Sequence, residues 1–198
     1  MPRKNVTQVE ARTVFSQAQR QTTVQLIYQG RVFAVKRHAA QEPGGVRVVR
    51  EVIHHPGSAV ILPLLPNRRI VLIRQYRLAV GASIWELPAG TIDVGEKPLQ
   101  TARRELAEET GYRSSRWRKL TSFYPSPGLL SERMHLFLAQ DLRPGTARPE
   151  ADERIFTRSF SRAELLRMIR AGKIQDGKSL VGVLYWAQWG DHRAAQRK

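Results

Sequence analysis

Glu105, Glu108 and Glu109 stand at positions i, i+3 and i+4 of a stretch with helical spacing. That spacing puts three carboxylates on one helix face within a single turn. Like charges at such separations repel and weaken a helix, so a sequence shaped by stability alone rarely clusters them. A divalent cation reverses the sign of the effect. Hard cations such as Mg²⁺ and Mn²⁺ take carboxylate oxygens, and substrate phosphates complete the shell. The chemistry open to the trio is therefore metal-assisted displacement at phosphorus. The plain alternative is a solvated acidic face, relieved by Arg104 at i+4 from Glu108.

The trio sits in a longer pattern. Residues 90–112 read Gly-x5-Glu-x7-Arg-Glu-U-x-Glu-Glu-x-Gly-U, where U is a bulky apolar residue. The seven fixed places are filled by Gly90, Glu96, Arg104, Glu105, Glu108, Glu109 and Gly111. At average usage, such a match arises by chance on the order of 10⁻⁸ times per starting position. Tyr112 takes the final apolar place, where an aromatic can pack as an aliphatic would. The pattern resembles the signature of the Nudix hydrolases.

The resemblance implies an α/β fold: an α/β/α sandwich with a mixed sheet, here joined to a small N-terminal antiparallel β unit. It implies hydrolysis of a nucleoside diphosphate linked to another group, with Mg²⁺ or Mn²⁺ as cofactor. Residues matching Glu105 and Glu109 are metal ligands in the family, and Glu108 matches a further ligand or base. The carbonyl of Ala89 would be another ligand, and Glu96 would pair with Arg104 to orient the helix. Stretches from about Arg31 to Trp189 resemble the ADP-ribose pyrophosphatase branch: Arg50-Glu51-Val52, Arg74-Gln75-Tyr76-Arg77, Trp85-Glu86-Leu87-Pro88-Ala89-Gly90 and Ser126-Pro127-Gly128. By that likeness Arg50, Glu51, Arg74 and Glu86 contact substrate. Pro127 resembles a mark of ADP-sugar cleavage, and Glu132 faces the metals.

Attack by water needs a general base. The branch carries it on a loop after the signature, where this chain has Glu150, Ala151, Asp152 and Glu153; Glu153 is the first choice, with Glu150 and Asp152 as alternates. The expected reaction splits ADP-ribose, or a related nucleotide sugar, into AMP and a sugar phosphate. GDP-mannose is the rival substrate. A nucleotide- or RNA-binding sensor without activity is the rival class, and the complete glutamate trio argues against it.

These residues need a frame to hold them. Runs at Val24–Tyr28, Val32–Val35 and Val46–Ile53 alternate in the β manner around turns at Gly30 and Pro43-Gly44-Gly45. They predict a β unit over 21–55, which the resemblance makes a dimerisation element helping to build the partner's nucleoside pocket. The hydrolase domain is expected over 56–190, with adjacent strands at Ala59–Leu65 and Ile70–Ile73. Pro98 at a first-turn position and Gly111 as a stop bound a helix over 98–110. Further strands are expected at Leu120–Tyr124, Met134–Ala139 and Ile155–Phe160. Ser161 with Glu164 makes a capping box for a helix to about Ala171, and a last helix runs from Ser179 to Trp189. His54, His55 and His135 lack ligand spacing and read as structural.

Composition narrows the classes further. The chain has 198 residues, with 41% hydrophobic and 25% charged, which suits a folded domain and excludes wholesale disorder. It contains no cysteine, so thiol catalysis, Cys-type zinc sites and disulfides are excluded. No apolar run approaches a membrane span, and the reading is a cytoplasmic protein without a membrane partner. The net charge of +16 is the odd feature. Its basic residues are scattered, with a loose basic arm over 1–20 and a basic tail over 191–198. No basic run with interleaved aromatics appears, so a nucleic-acid partner is not expected.

Overall fold

The computed structural model describes residues 20–42, 44–149 and 154–189. The expected arm up to residue 19, the tail over 191–198, and Glu150, Ala151, Asp152 and Glu153 lie outside the described residues. The chain parts into two compact units, one reaching His55 and including Ser126–Ser131, the other holding Pro56–Pro125 and the residues from Glu132 onward.

The first unit is an antiparallel sheet of β1 (Arg20–Gln29), β2 (Ala34–Gln41) and β3 (Arg47–His54) in that order. The turn at Gly30 closes with a 2.9 Å hydrogen bond from its N–H to the Phe33 carbonyl. The second strand begins later than the expected 32–35, because residues 30–33 are spent on that turn. Backbone bonds between Ile53 and the 129–131 segment extend the sheet's edge. Val24, Leu26, Tyr28 and Val49 are about half exposed, at 49%, 54%, 55% and 57%.

In the second unit β4 (Ser58–Pro63), β7 (Ala89–Thr91), β8 (Arg113–Phe123) and β9 (Met134–Arg143) form a mixed sheet in the order β7-β4-β9-β8. β4 and β9 run parallel, and the other pairs are antiparallel. A second, antiparallel sheet has the order β10-β5-β6, from β5 (Ile70–Arg77), β6 (Ala82–Glu86) and β10 (Ile155–Phe160). The helices are α1 (Pro98–Thr110), α2 (Arg162–Arg170) and α3 (Gly177–Trp189).

The two central strands explain the layers. Alternate side chains of a strand point to opposite faces. Ala59, Ile61, Phe137 and Ala139 pack with Ala102 and Leu106 of α1 on one face. Val60, Leu62, Leu136 and Leu138 pack with Leu165 of α2 and Val183 and Trp186 of α3 on the other. β4 is buried from end to end, as a strand covered on both faces must be. The result is an α/β/α sandwich.

One expectation fails here. The apolar runs at 59–65 and 70–73 are not adjacent strands of one sheet: β4 pairs with β7 and β9, while β5 pairs with β6 and β10. An isolated bridge between Leu64 and Ile70 is the link between them. Fully apolar runs carry no alternation, so sequence order suggested a pairing that burial on both faces overrode.

The helix over 98–110 forms as expected. Pro98 occupies its first turn, and the Gln100 side chain accepts the Lys97 N–H at 2.8 Å. Gly111 ends it at φ 73°, with its N–H on the Ala107 carbonyl. A Cβ at Gly111 would also lie 2.7 Å from the Gly145 carbonyl oxygen and 2.8 Å from the Ala147 nitrogen. Gly111→Ala should therefore cost about 1–3 kcal/mol, read as a shift in denaturant midpoint with an unchanged slope.

Candidate functional site

Two of the three glutamates of α1, Glu105 and Glu108, meet one guanidinium. Arg104 contacts Glu105 at 2.6 Å and Glu108 at 3.2 Å on its own helix. Across to the preceding loop it reaches Glu96 at 3.1 Å and the Thr91 carbonyl at 3.3 Å. Glu96 also accepts a hydrogen bond from the Thr101 hydroxyl at 2.8 Å. The hydrogen bond from Arg104 is the main reason that the Glu96 carboxyl titrates below its ordinary range. The same contact, reinforced by Glu105, raises the Arg104 pKa.

Glu105 and Glu109 converge on residues 89 and 90. Glu109 is buried and accepts the Ala89 N–H at 3.0 Å. A Cβ at Gly90 would sit 1.8 Å from Glu105 Oε1, so the carboxylate occupies the space that only glycine leaves. Among the described residues, no three histidine or acidic side chains are drawn together tightly enough to hold a metal ion. The donors facing this loop are nevertheless all oxygens, from Glu105, Glu109 and the peptide backbone, with Glu108 beside them on Arg104. That set suits a hard divalent cation and not a thiolate- or imidazole-seeking one.

The loop is held from the other side by α3. Glu86 closes β6 with 1% exposure. Arg77 grips it through two bonds of 2.7 and 2.8 Å, and Lys178 donates to it. Lys178 also contacts Asp176 at 3.0 Å, and Asp176 accepts the Ser179 N–H at 3.0 Å. The Ser179 hydroxyl donates to Asp176 and accepts the Leu87 N–H at 2.6 Å. Pro88 gives its carbonyl to the Ile61 N–H at 2.8 Å. Every residue from Glu86 to Ala89 is thus fixed by a named partner.

The expected site residues divide. Ala89, Arg104, Glu105, Glu108 and Glu109 come together around one loop, and Glu86 stands at its entrance. Glu86 faces two cations and not solvent, so it positions the loop in this conformation. Arg74 is exposed on β5 opposite Trp85, whereas Arg77 turns toward Glu86, as strand alternation requires. Glu132 is buried and accepts the Ser58 hydroxyl. Arg50, Glu51 and Pro127 belong to the first unit. Arg50 is exposed there, and Glu51 pairs with Arg37 at 2.9 Å. Glu150, Asp152 and Glu153 fall outside the described residues.

Asp176, Lys178 and Ser179 lie in a stretch, Lys173 to Ser179, that also resembles the ADP-ribose pyrophosphatase branch, but the resemblance assigned them no role. A lysine two residues after Asp176 at a helix start is visible in the sequence, but its other partner, Glu86, is far away in sequence. Of the histidines, His38 and His54 stack with Nε2 atoms 2.7 Å apart, and His135 bonds the Ser122 hydroxyl at 3.0 Å. Burial, with help from nearby cations, lowers the pKa of His54 and of His135.

Residues 54–180 match the NUDIX domain family. The chain is 33% identical over 161 residues to an ADP-ribose pyrophosphatase of Bacillus subtilis, covering 80% of this chain and 87% of that protein. It is 39% identical over 162 residues to an ADP-ribose pyrophosphatase of Mycobacterium tuberculosis, covering 80% and 78%. A GDP-mannose pyrophosphatase of Escherichia coli is 34% identical over 152 residues, covering 71% and 78%. A crystal structure described as an ADP compounds hydrolase superposes with a TM-score of 0.76 at 23% identity, covering 89% of this chain and 97% of that one.

The buried ion-pair network makes a stability prediction. Lys178→Met leaves Glu86 with one cation and should cost about 2–4 kcal/mol, while Glu86→Gln with Lys178→Met should recover part of the loss. Burial alone would raise the Glu86 pKa, but hydrogen bonds from Arg77 and the charge of Lys178 outweigh it and hold the carboxyl low. Glu96 is also lowered. Both contributions are complete above the ordinary carboxylate range and fade as pH falls below about 4 through the lowered values. Acid titration of stability should therefore show a shallower loss in Glu96→Gln than in the native chain.

Proposed function

The chain belongs to the Nudix family, and from that membership we propose that it hydrolyses the diphosphate linkage of ADP-ribose or a related nucleoside diphosphate sugar, releasing AMP and a sugar phosphate. The observation that carries this reading is the complete set of Glu105, Glu108 and Glu109, the first two held by Arg104, with Glu105 against Gly90 and Glu109 on the Ala89 N–H. A chain serving as a sensor has no need to keep three repelling carboxylates together.

Glu105, Glu109, Glu108 and the Ala89 carbonyl are the groups that would hold Mg²⁺ or Mn²⁺. When bound, such a cation neutralises charge on the diphosphate and on attacking and leaving oxygens. The protein's own part is positional. Arg104 holds Glu105 and Glu108 in place. The Ala89 N–H orients Glu109, and the network of Glu86, Lys178 and Ser179 fixes the loop they face. Glu153, with Glu150 and Asp152 as alternates, accepts the proton of the attacking water. The Arg148 N–H bonds the Glu108 carbonyl at 2.8 Å, which ties the chain to α1 just before that acidic segment. Arg50, Glu51 and Arg74 are exposed polar groups suited to ribose or phosphate contact, with Pro127 and Glu132 as further candidates.

The first unit serves self-association in this reading. Val24, Leu26, Tyr28 and Val49 leave apolar area exposed on a three-stranded sheet, and such a sheet is marginal without a covering surface. A homodimer supplies one, so dilution should reduce specific activity along with dimer content. Light scattering that finds a fully active monomer near the 22.6 kDa chain mass would remove the dimer. No helix among the described residues is long and apolar enough to cross a membrane.

Two kinetic outcomes test the catalytic reading. With Mg²⁺, kcat/KM for ADP-ribose should exceed that for GDP-mannose and for nucleoside triphosphates, read as released monophosphate. A clear preference for GDP-mannose would move the chain to that substrate. Glu109→Gln should fold normally yet lose about a hundredfold or more in kcat, and near-native turnover at saturating Mg²⁺ would sink the assignment of Glu109.

A further inference from the structure

The net charge of +16 is left unused by the hydrolysis above, and part of it collects in one place. Arg103, Arg104, Arg113 and Arg148 line a cavity of about 580 Å³ along the C-terminal half of α1, together with Glu108 and Thr146. Its volume falls within the range of small-molecule sites. Arg104 and Glu108 answer each other at 3.2 Å. Among the described residues, Arg103, Arg113 and Arg148 have no ion-pair partner.

The wall is a built one. Gly111 and Gly145 pack backbone to backbone, so closely that a Cβ on either would lie within 2.8 Å of the other's carbonyl oxygen. The Arg148 N–H then bonds the Glu108 carbonyl at 2.8 Å. This docking carries Thr146 and Arg148 over the helix end. It also satisfies one of the last carbonyls of α1, weakening the negative helix end that would otherwise oppose an anion.

Arg103, Arg113 and Arg148, without an ion pair among the described residues, repel each other on one concave wall, and an anion between them removes the penalty. The guanidinium fork matches phosphate oxygens in pairs, and the Thr146 hydroxyl adds a neutral donor. Among the described residues no aromatic side chain lines the cavity, so a nucleic-acid base finds nothing there to stack on. We propose that this cavity, which shares Arg104 and Glu108 with the glutamate site but draws Arg103, Arg113 and Arg148 from outside it, binds a small phosphomonoester anion. Both products of the hydrolysis proposed above are phosphomonoesters, so this identification of the occupant rests on that reading, whereas the site itself does not.

Calorimetry on the full chain, without added metal, tests the site with inorganic phosphate as probe. Saturable binding of one phosphate per chain is expected. Arg113→Gln and Arg148→Gln should each weaken it about tenfold or more, while Arg170→Gln, which removes the same charge from α2, should leave it unchanged. Glu109→Gln should also leave it unchanged, which separates this site from the catalytic one. Circular dichroism confirms folding, and Arg113→Gln decides alone if Arg148→Gln unfolds. Parallel titrations with AMP and ribose 5-phosphate, each binding and each weakened by Arg113→Gln, would make products the occupants; failure of both would overturn that identification and leave the phosphate site standing. Absence of phosphate binding, equal weakening by Arg170→Gln, loss in Glu109→Gln, or binding confined to an oligonucleotide would each overturn the site.

Discussion

Like charges on one helix turn repel, and the answer in this fold is the guanidinium of Arg104, which bonds Glu96 and the Thr91 carbonyl on the loop and Glu105 and Glu108 on its own helix. Without that cation the trio would favour a frayed helix. With it, Glu105 and Glu108 are held and the loop stays beside the helix. Gly90 completes the arrangement, because the Glu105 carboxylate lies where any side chain at 90 would be. Catalytic potential and local strain thus come from the same few residues.

The rest of the second unit serves to hold that loop still. The central strands, of which β4 is buried at every position, are covered by α1 on one face and by α2 and α3 on the other. The loop from Glu86 to Gly90 runs between these layers. From one side Glu109 takes its Ala89 N–H, and from the other Ser179 takes its Leu87 N–H. Removing Lys178 or Asp176 would loosen the second grip and leave the first intact. Rigid support of this kind is what placing a reactive group to within a fraction of an ångström requires.

Some of this was legible in the sequence. The helix over 98–110 was, because Pro98 and Gly111 mark its ends and the glutamate spacing marks its face. The Ser161 and Glu164 box was too, since both partners lie within one turn. β2 was not. Its residues Lys36-Arg37-His38-Ala39-Ala40-Gln41 carry no apolar alternation, and cross-strand pairing with β1 and β3 decides their conformation. The polar start of β8 escaped for the same reason. Glu86 stood out as an acid inside an apolar run, but its partners are nine residues away at Arg77 and ninety-two away at Lys178. No local pattern encodes such pairs. Alternation along β5 does separate exposed Arg74 from inward Arg77, and it was readable.

Binding of Mn²⁺ followed by electron paramagnetic resonance of the free ion tests the central assignment most directly. It reads the carboxylate set without recourse to any substrate. The native chain should take up Mn²⁺ saturably, and Glu105→Gln with Glu109→Gln should abolish that uptake while circular dichroism stays unchanged. Equal uptake by the native and doubly substituted chains would contradict the placing of a divalent cation on α1.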